Sequence, residues 1–213
     1  MAVRELSALE ARVLAVLVEK ASTVPDSYPM SLNSLTLGVN QKTARDPVMN
    51  ASESDVAAVL DELKGMSLVN SVSGSRVARF EHNMKRVLAV PGQAEALLAV
   101  LMLRGPQTSA ELRLNCERLH RFADVSSVEG FLEELAAREP SLAVKLPKAP
   151  GAREARWAHL LSGEPEVPAG GVSSSTAASS SGSARDEEIA ALRAEVEQLK
   201  AAVARIQAEL GLA

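Results

Sequence analysis

Few side chains in this 213-residue chain are spaced for covalent chemistry. Cys116 and His120, four positions apart on one predicted helix face, could seed a metal site, but no third or fourth ligand follows at a recognisable spacing. They read better as a small buried thiol beside a surface imidazole. His82 and His159 end strand-like runs with no matching Ser or Cys and base, and Asp46, just ahead of Pro47, reads as a turn former. The sequence holds no glycine-rich phosphate cradle and no metalloprotease His pair. The expectation is a protein that is not an enzyme and needs no metal or cofactor.

The residues that do form a pattern are cationic. Lys42 and Arg45 lie in a polar segment, Asn40 to Met49, closed by an Asp-Pro turn signal between two helix-like stretches. A connection this long inside a small domain is more often a working surface than a spacer. Arg76, Arg79, Lys85 and Arg86 lie on or after one predicted hairpin, and Lys145, Lys148, Arg153 and Arg156 flank another. Converging on one face, such cations would follow phosphates without reading bases. Binding would then weaken with salt, with a log-log slope of about -0.9 per phosphate neutralised. The competing reading pairs the hairpin arginines with nearby carboxylates such as Glu81 and Glu154 and leaves them merely solvated.

Composition narrows the partners. A net charge of -4 and a pI of 5.5 exert no general pull on nucleic acid, so any such binding must be local. One cysteine rules out an internal disulfide and fits a reducing compartment. The first residues lack an apolar secretion core, and the longest apolar run, Ala96 to Leu103, falls far short of the ~20 residues a membrane span needs. A cytoplasmic protein without a membrane partner is expected. Aromatics make up only 2%, so Leu, Val and Ala must fill the core.

The elements that position these cations repeat. Ser7-Ala8-Leu9-Glu10 is a capping box that opens a helix to about Lys20, with Leu9, Val13, Leu14, Val16 and Leu17 inward. A turn at Val24 to Pro29, a short helix from Ser31 to Val39 and, after the polar segment, a helix capped by Ser52-Glu53-Ser54-Asp55 follow. Ser67 to Val72 and Val77 to His82 alternate as a hairpin across Gly74-Ser75-Arg76. Gln93 to Arg104, Thr108 to about Arg121, a helix capped by Ser126-Ser127-Val128-Glu129, and strands at Leu142 to Leu146 and Arg153 to Leu160 restate the order. The third helices align at an offset of 72, Ser54-x-Val56-x-x-Val59-Leu60 on Ser126-x-Val128-x-x-Phe131-Leu132. Three helices closed by a hairpin, twice, predict a mostly α fold with small β-hairpins (α+β). The two tandem winged-helix domains span 1–86 and 87–163.

A Pro-, Gly- and Ser-rich stretch at 164–184 predicts a flexible linker with a reach of about 25 Å. At 185–213, Ile189, Leu192, Val196, Leu199, Val203, Ile206 and Leu210 recur at 3-4 spacing. β-Branched residues at most a positions and Leu at two d positions predict a parallel coiled-coil homodimer, with Glu188–Arg193 and Glu195–Lys200 pairs between chains. The competing reading is a lone amphipathic helix docked on the body.

Several blocks, Leu9-Glu10-Ala11-Arg12-Val13-Leu14, Tyr28-Pro29-Met30-Ser31-Leu32-Asn33, Asn40-Gln41-Lys42-Thr43, Arg45-Asp46-Pro47-Val48-Met49, Leu103-Arg104-Gly105-Pro106-Gln107-Thr108 and His159-Leu160-Leu161-Ser162-Gly163, resemble the bacterial YceH family over about Leu6 to Glu164. The resemblance implies two tandem winged-helix domains and carries no activity with it. Val39, Ala44 and Trp157 stand where that family tends to have Cys, Asn and Tyr.

Winged helices usually read DNA with the third helix and the wing. Here the third helices are acidic, with Glu53, Asp55, Asp61 and Glu62 against Lys64, then Glu129, Glu133 and Glu134 against Arg138. Acidic faces repel phosphate. The expected function is therefore a nucleic-acid-associated protein, with transcription regulation as a candidate role, touching the DNA backbone through its wings and basic loop. The alternative is a protein-interaction scaffold docking a partner chain.

Overall fold

Ser7 accepts the Glu10 N–H while the Glu10 carboxylate takes the Ser7 N–H, the reciprocal cap that starts α1 (Ala8–Thr23). The computed structural model describes residues 4–72, 77–149 and 151–165. Every α1 residue from Glu10 to Val18 is buried, a wider face than the stripe of Leu9, Val13, Leu14, Val16 and Leu17. A helix enclosed all round needs neighbours on every side. α2 (Leu32–Val39), α3 (Glu53–Gly65) and, from the second half of the chain, α5 (Gly92–Arg104) supply them. α2 approaches closely through Gly38, where a Cβ would lie 2.7 Å from Val16 Cγ1.

The first half closes with β2 (Val69–Val72) and β3 (Arg79–His82), and a two-residue strand β1 (Met30–Ser31) pairs with β3, giving the order β1-β3-β2. Met30 faces Phe80 and Val69 faces His82. β1 lay hidden in sequence because two residues are too few to show alternation. Lys85 and Arg86 ride on a further short helix, α4 (Met84–Val87), which drives Met84 into the core.

The second half runs through α5, α6 (Ser109–Asn115), α7 (Val125–Ala136) and the antiparallel pair β4 (Ala143–Lys145) and β5 (Trp157–His159). Two expectations are corrected. α7 is capped by Asp124, whose carboxylate takes the Ser127 N–H at 2.7 Å, and so starts earlier than the Ser126 cap predicts. α6 stops at Asn115 instead of about Arg121. Cys116 and His120 lie beyond its end, in a turn where the Leu119 and His120 N–H groups both reach the Cys116 carbonyl at 2.8 Å, so the pair does not sit on a helix face as expected.

The repeat goes further than the third helices. Ser31 and Thr108 cap α2 and α6 at an offset of 77, and the same offset carries Leu35 to Leu112, Val39 to Cys116 and Phe80 to Trp157, all buried. The pairing of Met30 with Phe80 is likewise matched by a bridge between Gln107 and Trp157. Ser52 and Asp124, the caps of α3 and α7, are 72 apart, so the segment before α3 is longer by five residues than its counterpart.

The described residues form one compact unit, and a single apolar core runs through both halves, joined where α1 packs on α5. The predicted boundary at 86/87 falls inside α4. The residues of the predicted coiled coil, Ile189, Leu192, Val196, Leu199, Val203, Ile206 and Leu210, and all but the first two residues of the predicted linker at 164–184 lie outside the described residues.

Candidate nucleic-acid interface

The polar segment after α2 is tied down at its ends and its middle. Asn40 donates Nδ2–H to the Ala51 carbonyl and accepts the Ala51 N–H on Oδ1, both at 2.8 Å. The Asp46 N–H reaches the Leu103 carbonyl on α5 at 2.8 Å. Between these ties Arg45 turns inward, its side chain 0% exposed. Nη2 donates to Glu19 Oε2 and Gln41 Oε1, each at 2.6 Å, Nη1 to Glu19 Oε1 at 3.3 Å and the Ala44 carbonyl at 2.9 Å, and Nε to the Gly38 carbonyl at 3.3 Å. Only a planar five-donor fork fills such a set. Arg45 is therefore withdrawn from the predicted phosphate contacts, because its charge is enclosed and already neutralised.

A second arginine lies under the same segment. Arg12 on α1 is 1% exposed, and Nη2 donates to the Pro47 carbonyl at 2.8 Å. Nε and Nη1 have no hydrogen-bond partner among the described residues. Burial and the neighbouring Arg45 charge hold the Arg12 pKa below its usual range, against the pull of Asp46.

The other predicted contacts divide three ways. Arg79 and Arg156 stand at equivalent positions of the two halves and do the same job. Each Nη1 donates at 2.7 Å to a proline carbonyl just ahead of the second helix, Pro29 in one case and Pro106 in the other. Arg156 also meets Glu111 at 3.1 Å. The carboxylates foreseen as their partners, Glu81 and Glu154, are not the ones used. Lys145 is exposed and sits 5.5 Å from the centre of the Trp157 ring, and Lys64 holds the matching place 5.9 Å from Phe80.

Lys42, Lys85, Arg86, Lys148 and Arg153 are exposed, with no side-chain hydrogen bond or ion pair among the described residues. Lys85 and Arg86 line an open groove of about 530 Å³ with His82 and Asn83. Arg76 lies outside the described residues.

The acidic helix faces are as exposed as the sequence implies at Glu53, Asp55, Asp61, Glu62, Glu133 and Glu134. Their charge is partly answered, with Asp61 on Lys64 at 2.6 Å and Glu62 on Arg4 at 3.1 Å. Burial pushes the Cys116 thiol up to about 12 and drives His159 down to about 4. Sequence reading passed over Arg104, the last residue of α5, which faces a polar notch beside Asp46. Its only signal was a charge ending an apolar helix just before Gly105-Pro106.

Fold and surface define a class, an α+β protein of two like halves on one core, with exposed basic side chains carried by a strap (the polar segment Asn40 to Met49), a short helix and a hairpin. The chain belongs to the DUF480 family, described as a protein of unknown function, whose model matches residues 6–152. It is 63% identical over 209 residues to a UPF0502 protein of Methylibium petroleiphilum, spanning 98% of this chain and 85% of that one. A UPF0502 protein of Leptothrix cholodnii is 60% identical over 210 residues, 97% of this chain and 93% of the relative. One of Burkholderia thailandensis is 59% identical over 214 residues, with 99% and 92% covered. No helix among the described residues is long and apolar enough to cross a membrane.

Proposed function

We propose that this chain is a non-enzymatic, cytoplasmic nucleic-acid-associated protein, two tandem winged-helix modules acting as a homodimer through the heptad segment at 185–213, with transcription regulation as its role. The observation that carries the reading is a group of exposed cations, Lys42, Lys85, Arg86, Lys148 and Arg153, outside the acidic third helices and with no side-chain partner among the described residues. Such cations neutralise phosphates and read no bases, so binding is backbone-directed and salt-sensitive. Lys145, Arg79 and Arg156 contribute what their Trp157 and proline-carbonyl contacts leave over. Dimerisation supports weak contacts by raising the effective concentration of the second body to about the millimolar range.

Fluorescence anisotropy with duplex DNA at two salt concentrations tests this. Salt-sensitive binding that falls when Lys85→Ala/Arg86→Ala or Lys148→Ala/Arg153→Ala is introduced supports the reading. Absence of binding at low salt overturns it.

One observation favours a scaffold instead. Leu37 on α2 and Leu114 on α6 occupy equivalent positions and are 66% and 68% exposed. An apolar side chain left out of the core at the same place twice suits a partner chain better than a phosphate backbone. Leu37→Asp and Leu114→Asp then abolish partner capture and leave anisotropy unchanged.

A further inference from the structure

Beside the strap lies an open notch of about 330 Å³ whose walls come from both halves: Ala44, Arg45 and Asp46 on one side, and Arg104, Gln107, Glu111, Asn115 and Arg156 on the other. Its size is at the lower end of small-molecule pockets. Most of the polar groups are already committed. Arg45 is taken by Glu19 and Arg156 by Glu111 and the Pro106 carbonyl. The buried Gln107 side chain donates to the Val100 and Gly105 carbonyls and accepts Asn115 Nδ2–H at 2.6 Å.

Two opposite charges are left. The Arg104 guanidinium makes no hydrogen bond or ion pair among the described residues, and neither does the Asp46 carboxylate, although Arg12 lies within electrostatic reach beneath it. The bond from the Asp46 N–H to the Leu103 carbonyl at 2.8 Å holds this segment against the end of α5, and Asp46 and Arg104 both line the notch. The Asn115 side-chain oxygen Oδ1 likewise accepts no hydrogen bond among the described residues. The lining is particular to this half: at the 77-residue offset Glu111 and Asn115 correspond to Ser34 and Gly38, so the repeat that preserves the caps and core departs here.

We propose that this notch binds a small zwitterion of amino-acid type, its carboxylate on Arg104 and its ammonium group on Asp46 and the Asn115 carbonyl. A planar guanidinium takes a carboxylate in bidentate fashion. A ligand carrying both charges answers both wall charges, whereas a simple anion meets Asp46 and Glu111 and a simple cation meets Arg104 and Arg156. The occupant would tie the strap to α5 and α6, which makes the notch an effector site. The inference is independent of whether the chain binds nucleic acid.

The test is side-chain amide NMR of Gln107 and Asn115 in the full-length chain, titrated to millimolar concentration with each of the common amino acids, with succinate and putrescine as single-sign controls. Saturable shifts from one or more amino acids are expected, weakened about tenfold or more by Arg104→Met and by Asp46→Asn, with neither control competing. Melting curves verify that both variants fold. If Arg104→Met does not, Arg104→Lys, which keeps the charge without the fork, takes its place with the same weakening expected. No shift from any amino acid, shifts indifferent to both substitutions, or equal binding of succinate would each overturn the proposal.

Discussion

Arg45→Met separates a structural arginine from a DNA-contacting one. The wild-type guanidinium is enclosed and makes two bonds to Glu19, one to Gln41 and two to backbone carbonyls. Methionine fills much of the volume but leaves the Glu19 carboxylate, 16% exposed, with Lys20 at 3.2 Å as its remaining cation among the described residues. Removing one partner of a buried pair costs about 3–5 kcal/mol. Lys20 and residual solvent place this case at the lower end, about 3 kcal/mol, which for a body of this size lowers the melting temperature by roughly 6–12 °C.

The loss carries a pH signature. Burial pushes the Glu19 pKa up, but the Arg45 hydrogen bonds and charge, with Lys20, more than offset this and hold it below the usual carboxylate range. A carboxyl with a folded pKa below its unfolded value of about 4.3 contributes stability that is complete above that value and fades as pH falls through the folded pKa. The gap between wild type and Arg45→Met is therefore widest near neutrality and closes in acid. Calorimetric melts from neutral to acidic pH, with a double-mutant cycle adding Glu19→Gln, measure it. A variant melting within about 1 °C of wild type, or one that keeps its stability and loses DNA binding, would refute the reasoning.

Two further outcomes concern Arg12 and His159. Arg12→Met removes a buried cation that has one hydrogen bond and no ion pair among the described residues, so its stability should stay within about 1 kcal/mol of wild type or rise; a larger loss in urea unfolding would mean that the two unpartnered nitrogens are satisfied after all. His159, held near 4 by burial, stays neutral in the fold while the unfolded chain protonates near 6.5, so its stabilisation is complete above that value. It is lost as pH falls from about 6.5 towards 4, by at most about 3 kcal/mol. His159→Gln should flatten the urea midpoint across that window, and an unchanged slope would remove His159 from the account.

The sequence by itself determined whatever is written in local spacing. Reciprocal caps at Ser7, Ser52 and Thr108 and the 3.6-residue periodicity of α3 and α7 placed the starts of those helices to within a few residues, because caps and amphipathic stripes act within one or two turns. The acidic third helices were legible for the same reason. Tertiary structure decided which charges face water. Lys42 and Arg45 are three residues apart in one polar segment, yet one is exposed and the other enclosed against Glu19, a partner twenty-six positions away. Arg79 and Arg156 acquire their shared role only when the chain brings Pro29 and Pro106 fifty residues back against them. Burial of a charge depends on what the rest of the chain packs around it, and no local pattern carries that information.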